Sequence, residues 1–327
     1  MTSSISSNIL VVEDLSLSLK SGKTVLPIIT NVSFSVSKGE SVALVGESGC
    51  GKSITASAIL GLPPENAVVT GSIWLNGIEI SKLDKQGRRK LCGQKIGFIF
   101  QEPMTALHPT LTIGRQLTDT LRLHLGLSKR AAMDRAAELL DRVGIPRPRE
   151  ILKGYVHELS GGMRQRVMIA LAISCGPELV IADEPTTALD VTIQAQVLDL
   201  LDEMRAELGL AMVFITHDLE VVGDHCDRAV VMYAGDVIEY GSSQDVVSSP
   251  SHPYTVGLID ATPANNEDRD RLVPIPGTVP PVGHWPSGCR FAPRCSLSDD
   301  HCRSRPEFMK ANVTDIRCWH PDGRVSQ

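Results

Sequence analysis

The chain has 327 residues, room for one large domain with an extension or for two domains. Hydrophobic residues make up 42% of it and charged residues of both signs 21%, a balance that excludes an intrinsically disordered chain. Its formal net charge of −6 argues against a general nucleic-acid binder, which would present a basic face.

The start, Met1 to Asn8, is Ser-rich and lacks the basic and apolar regions of a secretory signal. No apolar run approaches the ~20 residues of a membrane-spanning helix. The expectation is a cytoplasmic protein that meets a membrane only through a partner, with its eight cysteines reduced or bound to metal rather than in disulfides.

Residues 9–45 read as β. Ile9, Val11, Leu15, Leu17 and Leu19 recur largely at alternate positions, and Val32, Phe34 and Val36 alternate with Ser33, Ser35 and Ser37. Val42 to Val45 is all apolar, as in a parallel strand buried on both faces. A loop and a helix from about Lys52 to Leu60 follow, stopped by Gly61 and Pro63-Pro64. Ile96 to Phe100 is a further apolar strand. Residues 113–175 change to helical spacing, with Leu117, Leu121 and Leu125 on one face and Ala136, Leu139, Leu140 and Val143 on another, as expected of an inserted helical subdomain. Strands return at Leu179–Ala182 and Ala211–Thr216, around a helix whose apolar face carries Val197, Leu198, Leu201 and Met204. Strands alternating with helices imply an α/β fold with a mostly parallel sheet. Beyond about residue 250 prolines punctuate a segment with four cysteines, a small extension poor in regular structure. The main domain shows no internal repeat.

Gly46-Glu47-Ser48-Gly49-Cys50-Gly51-Lys52-Ser53 fits G-x-x-x-x-G-K-[ST] between a strand and a helix. Its glycines let backbone N–H groups turn towards phosphates, Lys52 adds a positive charge, and Ser53 offers a hydroxyl to Mg²⁺. The helix dipole favours the same anion. Asp183-Glu184 ends an apolar strand, where one carboxylate can hold Mg²⁺ and the next can orient and deprotonate an attacking water.

Between these elements, Leu159 to Arg166 (Leu-Ser-Gly-Gly-Met-Arg-Gln-Arg) resembles the signature of the ABC-transporter ATPases, with Met163 where Gln is commonest. Gln101 resembles the Q-loop, Ala188-Leu189-Asp190 the D-loop and His217 the switch histidine, in the family's order over about residues 9–250. The resemblance implies a P-loop (RecA-like) α/β nucleotide-binding domain over 1–262. It would carry an antiparallel β portion and a helical subdomain inserted at about 102–177, followed by a Cys-rich extension over 263–327. It implies ATP and Mg²⁺ as cofactors, Glu184 as general base and His217 as sensor of the γ-phosphate. Ser53, Gln101 and Asp183 would be at the metal. Ser160, Gly161 and Gly162 would serve the ATP on a partner chain's phosphate loop, and Gln165 and Asp190 would also belong to the nucleotide-binding set. One departure stands out: Leu17, Leu19 and Leu26 are aliphatic where the family stacks adenine on an aromatic residue.

The tail narrows the resemblance. Ser251-His252-Pro253-Tyr254-Thr255, Ile275 to Pro280 and Gly288 to Cys295 are similar to the ATP-binding subunits of oligopeptide and dipeptide importers; nickel, opine and related importers share this tail. Cys289, Cys295, Cys302 and Cys318 could complete a tetrahedral site for zinc or an iron–sulfur cluster, or remain thiols or form disulfides, and spacing does not decide. The resemblance implies a 4Fe–4S cluster. It also implies a second ATPase chain, as a paralogous heterodimer, two transmembrane permeases and a periplasmic or extracellular solute-binding protein. The chain would then sit peripherally on the cytoplasmic face of the inner membrane, with no nucleic-acid partner. The alternative, a soluble ribosome- or DNA-associated ABC ATPase, is disfavoured because this chain shows neither the two cassettes nor the long coiled-coil insertions such proteins usually carry.

Overall fold

The computed structural model describes residues 8–187, 189–262 and 274–321. The start before Asn8, Ala188 and the boundary expected at 262/263 lie in or beside the remainder. Twelve strands occur among the described residues: β1 Asn8–Ser21, β2 Thr24–Ser37, β3 Ser41–Val45, β4 Ala67–Leu75, β5 Ile78–Glu79, β6 Ile96–Ile99, β7 Leu179–Asp183, β8 Ala211–Thr216, β9 Arg228–Tyr233, β10 Asp236–Ser242, β11 Met309–Ala311 and β12 Thr314–Ile316. The chain divides into two compact units.

The first unit gathers Lys82–Val213 with Ser37–Glu40. Its strands β6 and β7 pair in parallel, Ile96 opposite Leu179 and Ile99 opposite Ala182, so both end at the same edge. Leu179 to Ala182 are fully buried, as their unbroken apolar run requires. Between these strands lie the helices Ile113–Leu125, Lys129–Arg142 and Gly161–Ile173, and after β7 comes Val191–Leu208. Each begins on a side-chain cap, from Thr112, Ser128, Ser160 and Asp190 respectively, which accepts a backbone N–H of the first turn. Ala136, Leu139, Leu140 and Val143 are buried, as are Leu117 and Leu121, but Leu125 at the helix end is 43% exposed. The expected stripe therefore stops one turn early, where the helix gives way to Gly126.

The second unit holds Leu10–Val36, Ser41–Ser81 and the described residues from Phe214 onward. One sheet runs in the order β2-β1-β4-β5 and its β1–β4 and β4–β5 pairings are antiparallel. In β1 the buried residues are Leu10 and Val12, then Leu15 and Leu17. A bulge between Glu13 and Ser16, with Asp14 at φ 49°, changes the phase, which explains why simple alternation from Ile9 and Val11 misplaces the first pair. In the other sheet β3 and β9 pair in parallel, then β9–β10, β10–β12 and β12–β11 pair antiparallel. The Cys-rich segment thus adds two short strands to the sheet that bears the phosphate-loop strand, β3.

Candidate functional site

The loop after β3 reaches the helix Lys52–Leu60 through three glycines with positive φ. Gly46 is the tightest: a Cβ there would lie 2.2 Å from the Met232 carbonyl oxygen, so only glycine fits. No side chain caps the following helix, which leaves its N-terminus to an anion. Lys52 is only 5% exposed, and its Nζ donates to the carbonyls of Gly46 (2.6 Å) and Glu47 (3.2 Å), holding the loop closed around its own charge. Cys50 is fully buried; burial raises its pKa and outweighs the lowering by nearby Lys52, so it is a neutral packing thiol. His217, exposed at the end of β8, belongs to the same unit.

In the first unit, the parallel pairing of β6 and β7 brings the residues after them together. Gln101 Nε2 donates to Glu184 Oε2 at 3.0 Å, and Thr187 Oγ1 donates to the same oxygen at 2.9 Å. Asp183 is buried at the strand end and Glu184 turns off it at φ 46°. Thr187 was not among the residues singled out in the sequence; its place three positions after Glu184 is the signal that could have found it.

Ser160 begins the helix Gly161–Ile173 and accepts the Met163 N–H at 3.3 Å, while Asp190 accepts the Ile193 N–H at 3.0 Å. A Cβ on Gly162 would lie 2.9 Å from Ile193 Cγ2, so the two helix starts pack closely. Gln165 is buried, and its Nε2 has no hydrogen-bond partner among the described residues. Arg166 donates to the Val143 carbonyl at 2.6 Å, tying the signature helix to the end of the helix Lys129–Arg142.

Among known proteins, a family model described as ABC transporter matches residues 29–187, and one for the C-terminal region of oligopeptide/dipeptide transporters matches residues 238–302. The oligopeptide transport ATP-binding protein OppD of Haemophilus influenzae is 43% identical over 312 residues, 95% of this chain and 97% of the relative. OppD of Escherichia coli is 44% identical over 314 residues, 96% and 93% of the two chains. The chain belongs to the ABC-transporter ATP-binding subunits of the oligopeptide/dipeptide family. A solved dimeric ATP-binding cassette in a post-hydrolysis state, bound to ADP and Pi, is similar at a TM-score of 0.64 and 28% identity, over 72% of this chain and 98% of that one. Hydrolysis of ATP by this ABC subunit follows from that membership. Among the described residues, no helix is long and apolar enough to cross a membrane.

The tail of the ABC subunit carries four of the cysteines. All eight cysteines are free thiols. Burial pushes the Cys318 thiol up to about 12, and neighbouring Cys289, Cys295 and Cys302 push it the same way against the His320 N–H. Four thiols are the donor type that a tetrahedral metal or an iron–sulfur cluster takes. The Cys289 N–H donates to the Cys302 carbonyl at 2.9 Å. A second donor set shares Cys302: one donor atom each from Asp299, Cys302 and His320 lies within 4.8 Å of the others.

Proposed function

We propose that this chain is the ATP-hydrolysing subunit that powers uptake of di- and oligopeptides, with Glu184 as general base. The observation that carries the assignment is the shared edge of β6 and β7, where Gln101 and Thr187 both donate to one Glu184 oxygen. A carboxylate fixed in this way can orient a water and accept its proton as the water attacks the γ-phosphorus. Lys52, Ser53 and the N–H groups of Gly46, Ser48, Gly49, Cys50 and Gly51 would hold the phosphates. Ser53, Gln101 and Asp183 would serve Mg²⁺, and His217 would report the γ-phosphate. Ser160, Gly161, Gly162, Gln165 and Asp190 would face the ATP of a second, paralogous ATPase chain. Closure of the pair would move two permeases fed by a solute-binding protein, with this chain peripheral on the inner membrane's cytoplasmic face.

Cys289, Cys295, Cys302 and Cys318 would hold a 4Fe–4S cluster with a structural role, as the resemblance of the tail to the importer family implies. Zinc on the same sulfurs, or on the Asp299–Cys302–His320 set, is the competing assignment.

Glu184→Gln tests the base. The variant should bind ATP as the parent does while turnover falls by about 10²-fold or more. Turnover within about threefold of the parent would remove Glu184 from that role.

A further inference from the structure

The stretch Cys289–Cys295, framed by the first two tail cysteines, carries Arg290, Phe291 and Arg294. All three are planted around the phosphate loop, within the second unit. Arg294 has a side chain only 3% exposed, and it grips both carboxylate oxygens of Glu47, at 2.6 and 3.1 Å. Its Nε donates to the Pro276 carbonyl at 2.8 Å, so the fork is held from behind. Glu47 donates its own N–H to the hydroxyl of buried Tyr254 at 2.8 Å. Both polar handles of this loop residue, its N–H and its carboxylate, are therefore engaged by protein.

Aromatic rings and further hydrogen bonds surround the pair. Phe291 meets Tyr233 and Tyr254 edge-on with ring centroids 5.2 and 5.4 Å away, and the two tyrosines meet at 4.7 Å. Arg290 donates to the Ala234 carbonyl (2.6 Å) and to Thr30 Oγ1 (2.9 Å), while the next residue, Gly235, donates its N–H to the Cys50 carbonyl at 2.9 Å. The loop is thus braced near both of its ends, and the tail supplies part of each brace. A bidentate guanidinium–carboxylate pair is directional, and removing Glu47 leaves the buried Arg294 charge without its partner.

We propose that Arg294 is a positioning residue for ATP: from the Cys-rich tail it fixes Glu47 and holds the phosphate loop in the shape that receives nucleotide. The proposal rests on the reading of Gly46–Ser53 as the ATP site. Glu47 on this view shapes the loop and does not touch the nucleotide.

The test is a double-mutant cycle in the full chain, with binding of MgATP measured by titration. Arg294→Met and Glu47→Gln should each weaken ATP by about tenfold, and the double variant should be no weaker than either. Arg294→Lys, which keeps the charge and loses the fork, should recover part of the loss. If Arg294→Met fails to fold, Glu47→Gln breaks the same pair with almost no change of shape. The proposal is overturned if the single variants bind ATP within about twofold of the parent and lose only thermal stability, or if their effects multiply in the double variant. Lys52→Ala separates the two levels: a Lys52→Ala protein that binds ATP normally overturns the reading of the loop itself.

Discussion

Glu184 sits in a left-handed backbone conformation that a residue with a Cβ seldom adopts, directly after a strand whose five residues are all buried. A turn of that kind aims the carboxylate off the sheet edge towards Gln101 and Thr187 instead of continuing the strand's alternation. The pair Asp183-Glu184 was legible because carboxylates at the end of an apolar run are chemically conspicuous; the turn and Thr187 were not, since nothing in the local pattern encodes φ. His252 shows the same division. Its motif was visible, yet its state is set by complete burial, which pushes its pKa down to about 3. Its Nδ1 accepts the Tyr254 N–H at 3.0 Å, capping the helix Pro253–Asp260, and its buried Nε2 has no hydrogen-bond partner among the described residues. Between pH ~6.5 and 3 the unfolded chain binds a proton at this histidine that the folded chain refuses. Stability is then full above that window and falls as the pH drops through it, by at most about 1.4 kcal/mol per pH unit. His252→Asn keeps a capping acceptor without the titration. Urea unfolding at pH 7 and pH 5 should show a smaller loss on acidification in that variant, and equal losses in both proteins would refute the account.

At the scale of elements, the main helices of the first unit were legible, whereas the phase of β1 and the strands β4, β5, β9, β10, β11 and β12 were not. Ser128, Ser160 and Asp190 stand just before periodic apolar runs and cap them in the structure. The phase of β1 was hidden because one bulge at Asp14 exchanges the two faces, and a single extra residue leaves the apolar content unchanged. The signature helix carries a separable prediction. Ser160 receives the Met163 N–H, so Ser160→Ala should lower the stability of the isolated chain by about 1 kcal/mol, read from denaturant midpoints at constant slope. If the same hydroxyl also serves a partner's ATP, turnover of the assembled complex will fall by more than this loss of stability accounts for. Unchanged stability in the isolated chain would show that the cap contributes nothing.

For the molecule as a whole, the order of motifs announced the cassette, and the tail motif announced the peptide-transport branch. What sequence order could not announce was that Arg294 and Glu47, 247 positions apart, form one ion pair. Pairings of that span leave no local pattern to read. Purification from native membranes under anaerobic conditions tests the larger reading. Two permeases and a second ATPase chain should accompany this one, and the preparation should be brown with about four irons per chain. A colourless preparation carrying one zinc would assign the sulfurs to zinc, and copies associated with ribosomes or DNA would overturn the transport role.

The pairing of Arg294 with Glu47 also bears on the order of synthesis. A chain leaving the ribosome exposes the phosphate loop long before residue 294 is made, and β12, which zips onto β10 beside Glu239, comes later still. During that interval the loop exists without its brace, and a product cut short in the tail would never acquire it. Residues late in the chain thus complete a loop made among its early parts, and the loop and its brace are joined only across 247 positions.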